Sequence, residues 1–170
     1  MSTEKQGGQW LLVAAIGLGL FWVKNGGIPM SARLSLESAR NFGRPVPITR
    51  SVIDGLIDEA ADREGIPRKL FHALTHIESR KNPNAVSHKG AIGLSQVMPF
   101  NAKFCGLKKA DELKDPIKNL RCGAKILREN LDSAKSTADA LSIYNCGRVN
   151  CKPGQQYAMD VLRVARNGNF

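Results

Sequence analysis

Apolar residues recur at helical spacing over most of the chain after residue 50. A first helix is predicted from residue 51 to Gly65, with its apolar stripe on Val52, Ile53, Leu56, Ile57, Ala60 and Ala61. Pro67 suits the first turn of a second helix that ends near Arg80, and its stripe is Leu70, Phe71, Leu74 and Ile77.

The rest of this region also follows a helical pattern. Residues 81–90 have the composition of a loop, and a third helix is predicted over 92–104. Asp115 and Pro116 form an N-cap and first-turn pair for a fourth helix. Thr137 precedes a fifth helix over 138–145, and Pro153 opens a sixth. No alternating strand pattern competes, so residues 51–170 are predicted to form an all-α domain.

The N-terminal part of the chain has a different character. Residues 10–23 form a long uncharged apolar run with Trp10 and Trp22 near its two ends, as in helices that meet a membrane interface. We interpret residues 1–24 as an uncleaved membrane anchor and residues 25–50 as a linker. A 14-residue helix would cover only about 21 Å of the hydrocarbon core. A signal peptide and an apolar helix buried against partner proteins are therefore kept as alternatives.

Composition and charge restrict the class of protein. A chain of 170 residues with 42% hydrophobic and 24% charged residues supports one packed domain and excludes a disordered chain. The net charge of +10 is spread along the sequence and favours a polyanionic neighbour. No basic stripe is interleaved with aromatic residues, so we expect no specific nucleic-acid partner.

Glu78 is the carboxylate best placed for acid chemistry. It lies at the predicted end of the second helix, directly after the apolar stripe. Desolvation by apolar neighbours and the negative end of the helix dipole should both raise its pKa. A raised pKa keeps a general acid protonated near neutral pH. Taken without the surrounding motifs, a glutamate at a helix end is more often a solvated surface residue than a catalytic one.

Four motifs supply that context. Glu78 is followed by Ser79, residues 90–99 read GAIGLSQVMP, residues 143–147 read IYNCG, and Tyr157 precedes a Val-rich helix. Together they resemble the catalytic core of the soluble lytic transglycosylase family, which has a goose-lysozyme-like fold. The resemblance covers about residues 55–166. Ser95 stands where the family usually has Met, and Ile143 where Ala is common, so the subsites of the glycan-facing groove are expected to differ.

The resemblance implies a lytic transglycosylase, a lyase that cleaves the β-1,4 bond between N-acetylmuramic acid and N-acetylglucosamine and leaves a 1,6-anhydromuramoyl end. Glu78 would be the catalytic acid and base, so no paired carboxylate is required. By the same analogy Tyr157 holds Glu78, while four residues orient the sugar or the acid: Ser79, Gln96, Tyr144 and Asn145. No cofactor is expected.

Four cysteines permit three disulfide pairings. The pairs closest in sequence are Cys105 with Cys122 and Cys146 with Cys151. Disulfides agree with a domain that works outside the cytoplasm, and reduced thiols are the alternative. No metal site is expected: the i, i+4 pair of His72 and His76 is interpreted as two ordinary helix histidines.

The sequence thus predicts a membrane-anchored enzyme whose substrate is peptidoglycan and whose catalytic domain acts in the periplasm. Its compact form resembles the domains carried by secretion and conjugation machines and by phage particles. It would open the wall for a larger assembly, and a virion protein delivered to the periplasm is the alternative setting. Two other functions stay open, a goose-type muramidase that uses water and a non-catalytic murein-binding component of a virion channel.

Overall fold

The computed structural model describes residues 49–168 and 170. Within that part of the chain there are five α-helices: α1 (Arg50–Arg63), α2 (Arg68–Ser79), α3 (Pro116–Ser133), α4 (Thr137–Cys146) and α5 (Lys152–Asn167). Two short 3₁₀ helices, Pro99–Asn101 and Ala110–Lys114, lie in the connection between α2 and α3. The described residues contain no β-strand, and the predicted all-α class is confirmed.

Local side chains fix where several helices begin. The Asp115 carboxylate accepts hydrogen bonds from the backbone N–H groups of Ile117 and Lys118, as an N-cap should. At the start of α5 the Cys151 Sγ accepts from the N–H of Gly154. Two more side-chain caps lie one or two residues before the predicted helix starts. Thr49 caps α1, and Ser136 rather than Thr137 caps α4.

The main core lies where α2 packs against α1 and α5. Its fully buried members include Ile57, Phe71, Leu74, Leu127, Leu141 and Val161. Ile77 was expected on the apolar stripe of α2, but its side chain is 36% exposed, so that part of the prediction is wrong. The stripe ends one turn earlier, and the last turn of α2 carries polar contacts instead: Ser79 bonds the Leu94 carbonyl of a loop, and Glu78 bonds Tyr157 of α5.

The predicted helix over 92–104 is wrong. Ile92 forms isolated antiparallel bridges with Val86 and Val97, which fold residues 85–97 into a tight irregular loop. Only Pro99–Asn101 is helical in this stretch, as a 3₁₀ turn. Gly93 has a φ of 75° and Gln96 a φ of 46°, and two left-handed residues three apart are incompatible with an α-helix.

Two disulfides fasten this architecture. Cys105 is joined to Cys122, which ties the 3₁₀ region to α3 across a separation of 17 residues. Cys146 is joined to Cys151 and closes the short connection between α4 and α5. These are the two pairs that are closest in sequence.

The predicted anchor and linker lie outside the described residues, except for Thr49 and Arg50. Among the helices that the structure does describe, none combines the length and the apolar character needed to cross a membrane.

Candidate active site

Glu78 lies in the last turn of α2, one residue before the helix ends. The chain then turns sharply, because Arg80 and Lys81 both adopt the left-handed conformation, with φ of 52° and 61°. The Glu78 side chain is half-buried, and its Oε1 accepts a hydrogen bond of 2.6 Å from the Tyr157 hydroxyl on α5. The contact between α2 and α5 therefore sets the direction of this carboxyl group.

The environment of Glu78 favours its protonated form. Burial raises the pKa of this carboxyl from 4.5 to about 7, while the hydrogen bond from Tyr157 lowers it by a smaller amount. A carboxyl group with this pKa exchanges its proton near neutral pH, so it can donate a proton and later accept one.

Two hydroxyl groups hold the loop of residues 90–98 against Glu78. The Ser79 Oγ donates to the carbonyl of Leu94 at 2.8 Å, and the Tyr144 hydroxyl donates to the carbonyl of Ser95 at 2.8 Å. Ser79 and Tyr144 thus bond the loop backbone in this structure, one from α2 and the other from α4. Both contacts place the loop beside the carboxyl end of α2.

Gln96 folds back on its own loop. Its Nε2 donates to the carbonyl of Gly93 at 2.9 Å and to that of Ala85 at 3.3 Å. The side-chain amide of Gln96 therefore closes the loop while its backbone keeps a positive φ.

Asn119 on α3 is a structural residue of the site that sequence reasoning missed. Its side chain is fully buried, donates to the carbonyls of Ile92 and Leu113, and accepts from the N–H of Ser95 at 2.9 Å. Gly93 must lack a Cβ here, because such an atom would lie 2.5 Å from the Asn119 Nδ2. The available signal was a lone Asn beside the apolar face of an otherwise regular helix.

Ser95 does not face the groove, contrary to the expectation that it changes the glycan subsites. Its side chain is fully buried against Gly123 of α3, where an added Cβ would lie 2.4 Å from the Ser95 Cβ. Within the described residues its Oγ has no hydrogen-bond partner. A small residue at position 95 allows α3 to approach the loop closely, and the Ser95 carbonyl accepts the hydrogen bond from Tyr144.

The two tyrosines and Asn145 differ in their surroundings. Burial first, and then the charge of Glu78, raise the pKa values of Tyr144 and Tyr157 well above 10, so both remain hydroxyl donors. Asn145 is exposed on α4. Among the described residues its side chain makes no hydrogen bond to the loop or to Glu78, whereas Tyr157 bonds Glu78 and three other predicted residues bond the loop backbone: Ser79, Gln96 and Tyr144.

A buried ionic cluster lies just beyond Glu78. The Lys81 ammonium is 2.5 Å from an Asp54 oxygen and 3.0 Å from the His72 Nδ1, and it lies over the Phe170 ring. Because ammonium can only donate, Nδ1 accepts and the His72 Nε2 donates to Asp58 at 2.9 Å. Both ring nitrogens of His72 are therefore bonded to protein groups. The cluster anchors the turn that follows the catalytic candidate.

Comparison with protein families adds to this geometry. The model of the family described as "Transglycosylase SLT domain" matches residues 55–163. A transglycosylase of Enterobacteria phage PRD1 is 37% identical over 114 residues, which cover 67% of this chain and 42% of that protein. The membrane-bound lytic murein transglycosylase F of Alcanivorax borkumensis is 28% identical over 122 residues, which cover 68% of this chain and 26% of that protein. The chain thus spans less than half the length of these relatives.

Solved structures show the same fold. The lytic transglycosylase Slt of Pseudomonas aeruginosa, in an inactive mutant form, superposes with a TM-score of 0.58 at 22% identity and covers 79% of this chain and 26% of that one. The 70 kDa soluble lytic transglycosylase of Escherichia coli gives a TM-score of 0.61 at 21% identity, with 70% and 24% covered. At this level of identity the likeness concerns the fold alone.

Proposed function

The chain belongs to the transglycosylase SLT domain family, and on that premise we propose that it is a lytic transglycosylase acting on the glycan strands of peptidoglycan. The relatives with curated names support the substrate class, since they are called transglycosylase and lytic murein transglycosylase. The arrangement around Glu78 supports the reaction type.

The observation that carries the proposal is the state of Glu78. Burial raises its pKa to about 7, so the protonated and ionised forms are both accessible near neutral pH, and the 2.6 Å bond from Tyr157 fixes one carboxyl oxygen. A fixed carboxyl group in this state serves as acid and then as base within one turnover, because the best catalytic pKa lies near the working pH.

The reaction divides into two proton transfers. Glu78 first donates its proton to the oxygen that links C1 of N-acetylmuramic acid to C4 of N-acetylglucosamine, and the C1–O bond breaks. The resulting carboxylate then takes the proton of the muramoyl C6 hydroxyl as that oxygen bonds to C1. The products are an N-acetylglucosamine with a free C4 hydroxyl and a 1,6-anhydromuramoyl end, and Glu78 is protonated again.

The neighbouring groups have positioning roles in this proposal. Tyr157 holds the carboxyl group, and its raised pKa keeps it a hydrogen-bond donor throughout the cycle. Ser79, Gln96 and Tyr144 hold the loop that forms one wall of the site, and Asn145 is exposed beside Tyr144 for contact with the sugar.

We also propose a setting for the enzyme. Residues 10–23 would anchor it to a membrane, and the catalytic domain of residues 51–170 would act in the periplasm, where disulfides persist. The phage relative favours the delivery of such an enzyme by a virion that must cross the wall. A bacterial secretion or conjugation machine would need the same local opening.

The test uses the full chain and purified sacculi. Glu78→Gln keeps the shape of the side chain but removes the proton, so we expect the rate of clearing to fall by at least about 100-fold. The matched control is Glu129→Gln, which alters an exposed glutamate on α3 and should clear sacculi at the wild-type rate. Equal clearing by the wild type and Glu78→Gln would refute the catalytic role of Glu78. No clearing by the wild type would refute the enzyme activity and leave the non-catalytic murein-binding function.

A further inference from the structure

A concave depression of about 510 Å³ lies in the segment that follows the Gln96 loop. Its apolar lining includes Pro99, Phe100 and Leu107, and its basic lining consists of Lys103, Lys108 and Lys109. None of the predicted site residues lines it. The proposed mechanism therefore leaves this surface without a function.

The depression combines exposed apolar area with positive charge. The Phe100 side chain is 75% exposed, which is unusual for an aromatic ring in a small domain. The acids that follow form their ion pairs with other lysines: Asp111 pairs with Lys114 at 2.8 Å, and Glu112 pairs with Lys118 at 2.5 Å, although the charge of Lys109 also acts on Asp111. The lining lysines, Lys103 and Lys108 above all, therefore favour a ligand that brings its own carboxylates.

The depression is near the candidate active site and is held in place. Phe100 is four residues after Gln96, and a chain of four residues spans at most about 14 Å. Val97 and Ala102 are buried beneath the segment, and the disulfide between Cys105 and Cys122 fastens it to α3. A group that hangs from a glycan bound beside Gln96 is thus within reach of a surface with a fixed shape.

We propose that this depression binds the stem peptide carried by the muramoyl residues of peptidoglycan, so that the enzyme selects peptide-bearing strands. The inference rests on the proposed function. Stem peptides combine alanine methyl groups, which match the apolar lining, with free carboxylates, which match the lysines. The depression has room for a short peptide, and its lining carries groups that match both parts of the stem peptide.

The first experiment measures binding without turnover. The full chain with Glu78→Gln is titrated calorimetrically with the free tetrapeptide L-Ala-γ-D-Glu-meso-diaminopimelate-D-Ala. Replacing Lys103, Lys108 and Lys109 together by Gln should weaken binding at least about tenfold, because each charge-assisted contact is lost. Phe100→Ala should weaken it several-fold by removing the apolar contact.

The control is a second triple variant with the same change in charge, in which Gln replaces three exposed lysines outside the depression, Lys69, Lys135 and Lys152. It should bind the peptide as tightly as the Glu78→Gln parent. Equal weakening in both triple variants, or no binding by the parent, would overturn the proposal. Lysine-dependent binding to phosphatidylglycerol vesicles without peptide binding would overturn it in favour of a lipid surface.

The second experiment measures selection during cleavage. The rates of the active chain are compared on intact strands and on strands stripped of peptides by an amidase. In the active chain, replacing Lys103, Lys108 and Lys109 by Gln should lower the ratio of the rate on intact strands to the rate on stripped strands about tenfold. Replacing the three control lysines should leave this ratio at the wild-type value. Cleavage with an unchanged ratio would overturn the inference and leave the proposed function intact. Peptide binding without any cleavage would overturn the proposed function and leave the peptide site.

Discussion

The raised pKa of Glu78 has a consequence for stability that can be measured apart from catalysis. The pKa is about 7 in the folded protein and 4.5 ordinarily, so the folded state binds more protons than the unfolded state between these values. The free energy of unfolding therefore falls as the pH rises through this window and levels off above it. At about 1.4 kcal/mol per pH unit, the loss is about 3 kcal/mol.

Glu78→Gln removes this loss, because the amide is uncharged at every pH and its oxygen still accepts the bond from Tyr157. Urea denaturation of the wild type and of Glu78→Gln, at about pH 4 and about pH 8, isolates the contribution of Glu78 to the free energy of unfolding. All other groups titrate in both proteins and cancel in the difference. The variant should gain about 3 kcal/mol relative to the wild type at the higher pH. A difference between the two proteins that does not change with pH would refute the argument that burial sets this pKa.

Three further outcomes follow from other contacts. Tyr157→Phe removes the bond that lowers the Glu78 pKa, so the alkaline limb of the pH profile of kcat should move to higher pH and kcat should fall about tenfold. Gly123→Ala forces a Cβ into the loop beside the site and should lower the free energy of unfolding by about 1–3 kcal/mol, whereas Gly55→Ala, which meets nothing within 4 Å, should not lower it. Lys81→Met removes the buried ammonium that pairs with the partly exposed Asp54 and bonds His72, and it should lower the free energy of unfolding by about 1–3 kcal/mol, measured by urea denaturation, with partial recovery in Lys81→Arg.

Helices were predictable from the sequence where local chemistry decides their limits. Asp115 and Pro116 open α3 through contacts within three residues, and α2 ends at Arg80 as predicted. The position of Glu78 at the end of α2 and the raised pKa of its carboxyl group were also predictable, because both follow from the helix end and the apolar stripe before it. Its bond to Tyr157 joins residues 79 apart in the chain, and it was expected only from the family resemblance.

The parts that were not predictable depend on contacts between distant elements. Residues 92–104 contain apolar residues at helical spacing, yet Asn119 bonds to the backbone of this segment and stabilises a loop instead. Lys81 lies in the segment predicted to be a loop, and its burial was not predictable because it depends on Asp54 of α1 and His72 of α2, which bond its ammonium group. Ser95 was expected in the groove because its motif is functional, and its burial depends on the absence of a side chain at Gly123.

The central claim is that Glu78 transfers a proton to the glycan and recovers one without the participation of water. Digestion of sacculi in water labelled with heavy oxygen, followed by mass spectrometry of the muropeptides, tests it directly. We expect anhydro products that are one water molecule lighter than hydrolysis products and carry no label. Label at the muramoyl C1 would contradict it and identify the chain as a muramidase.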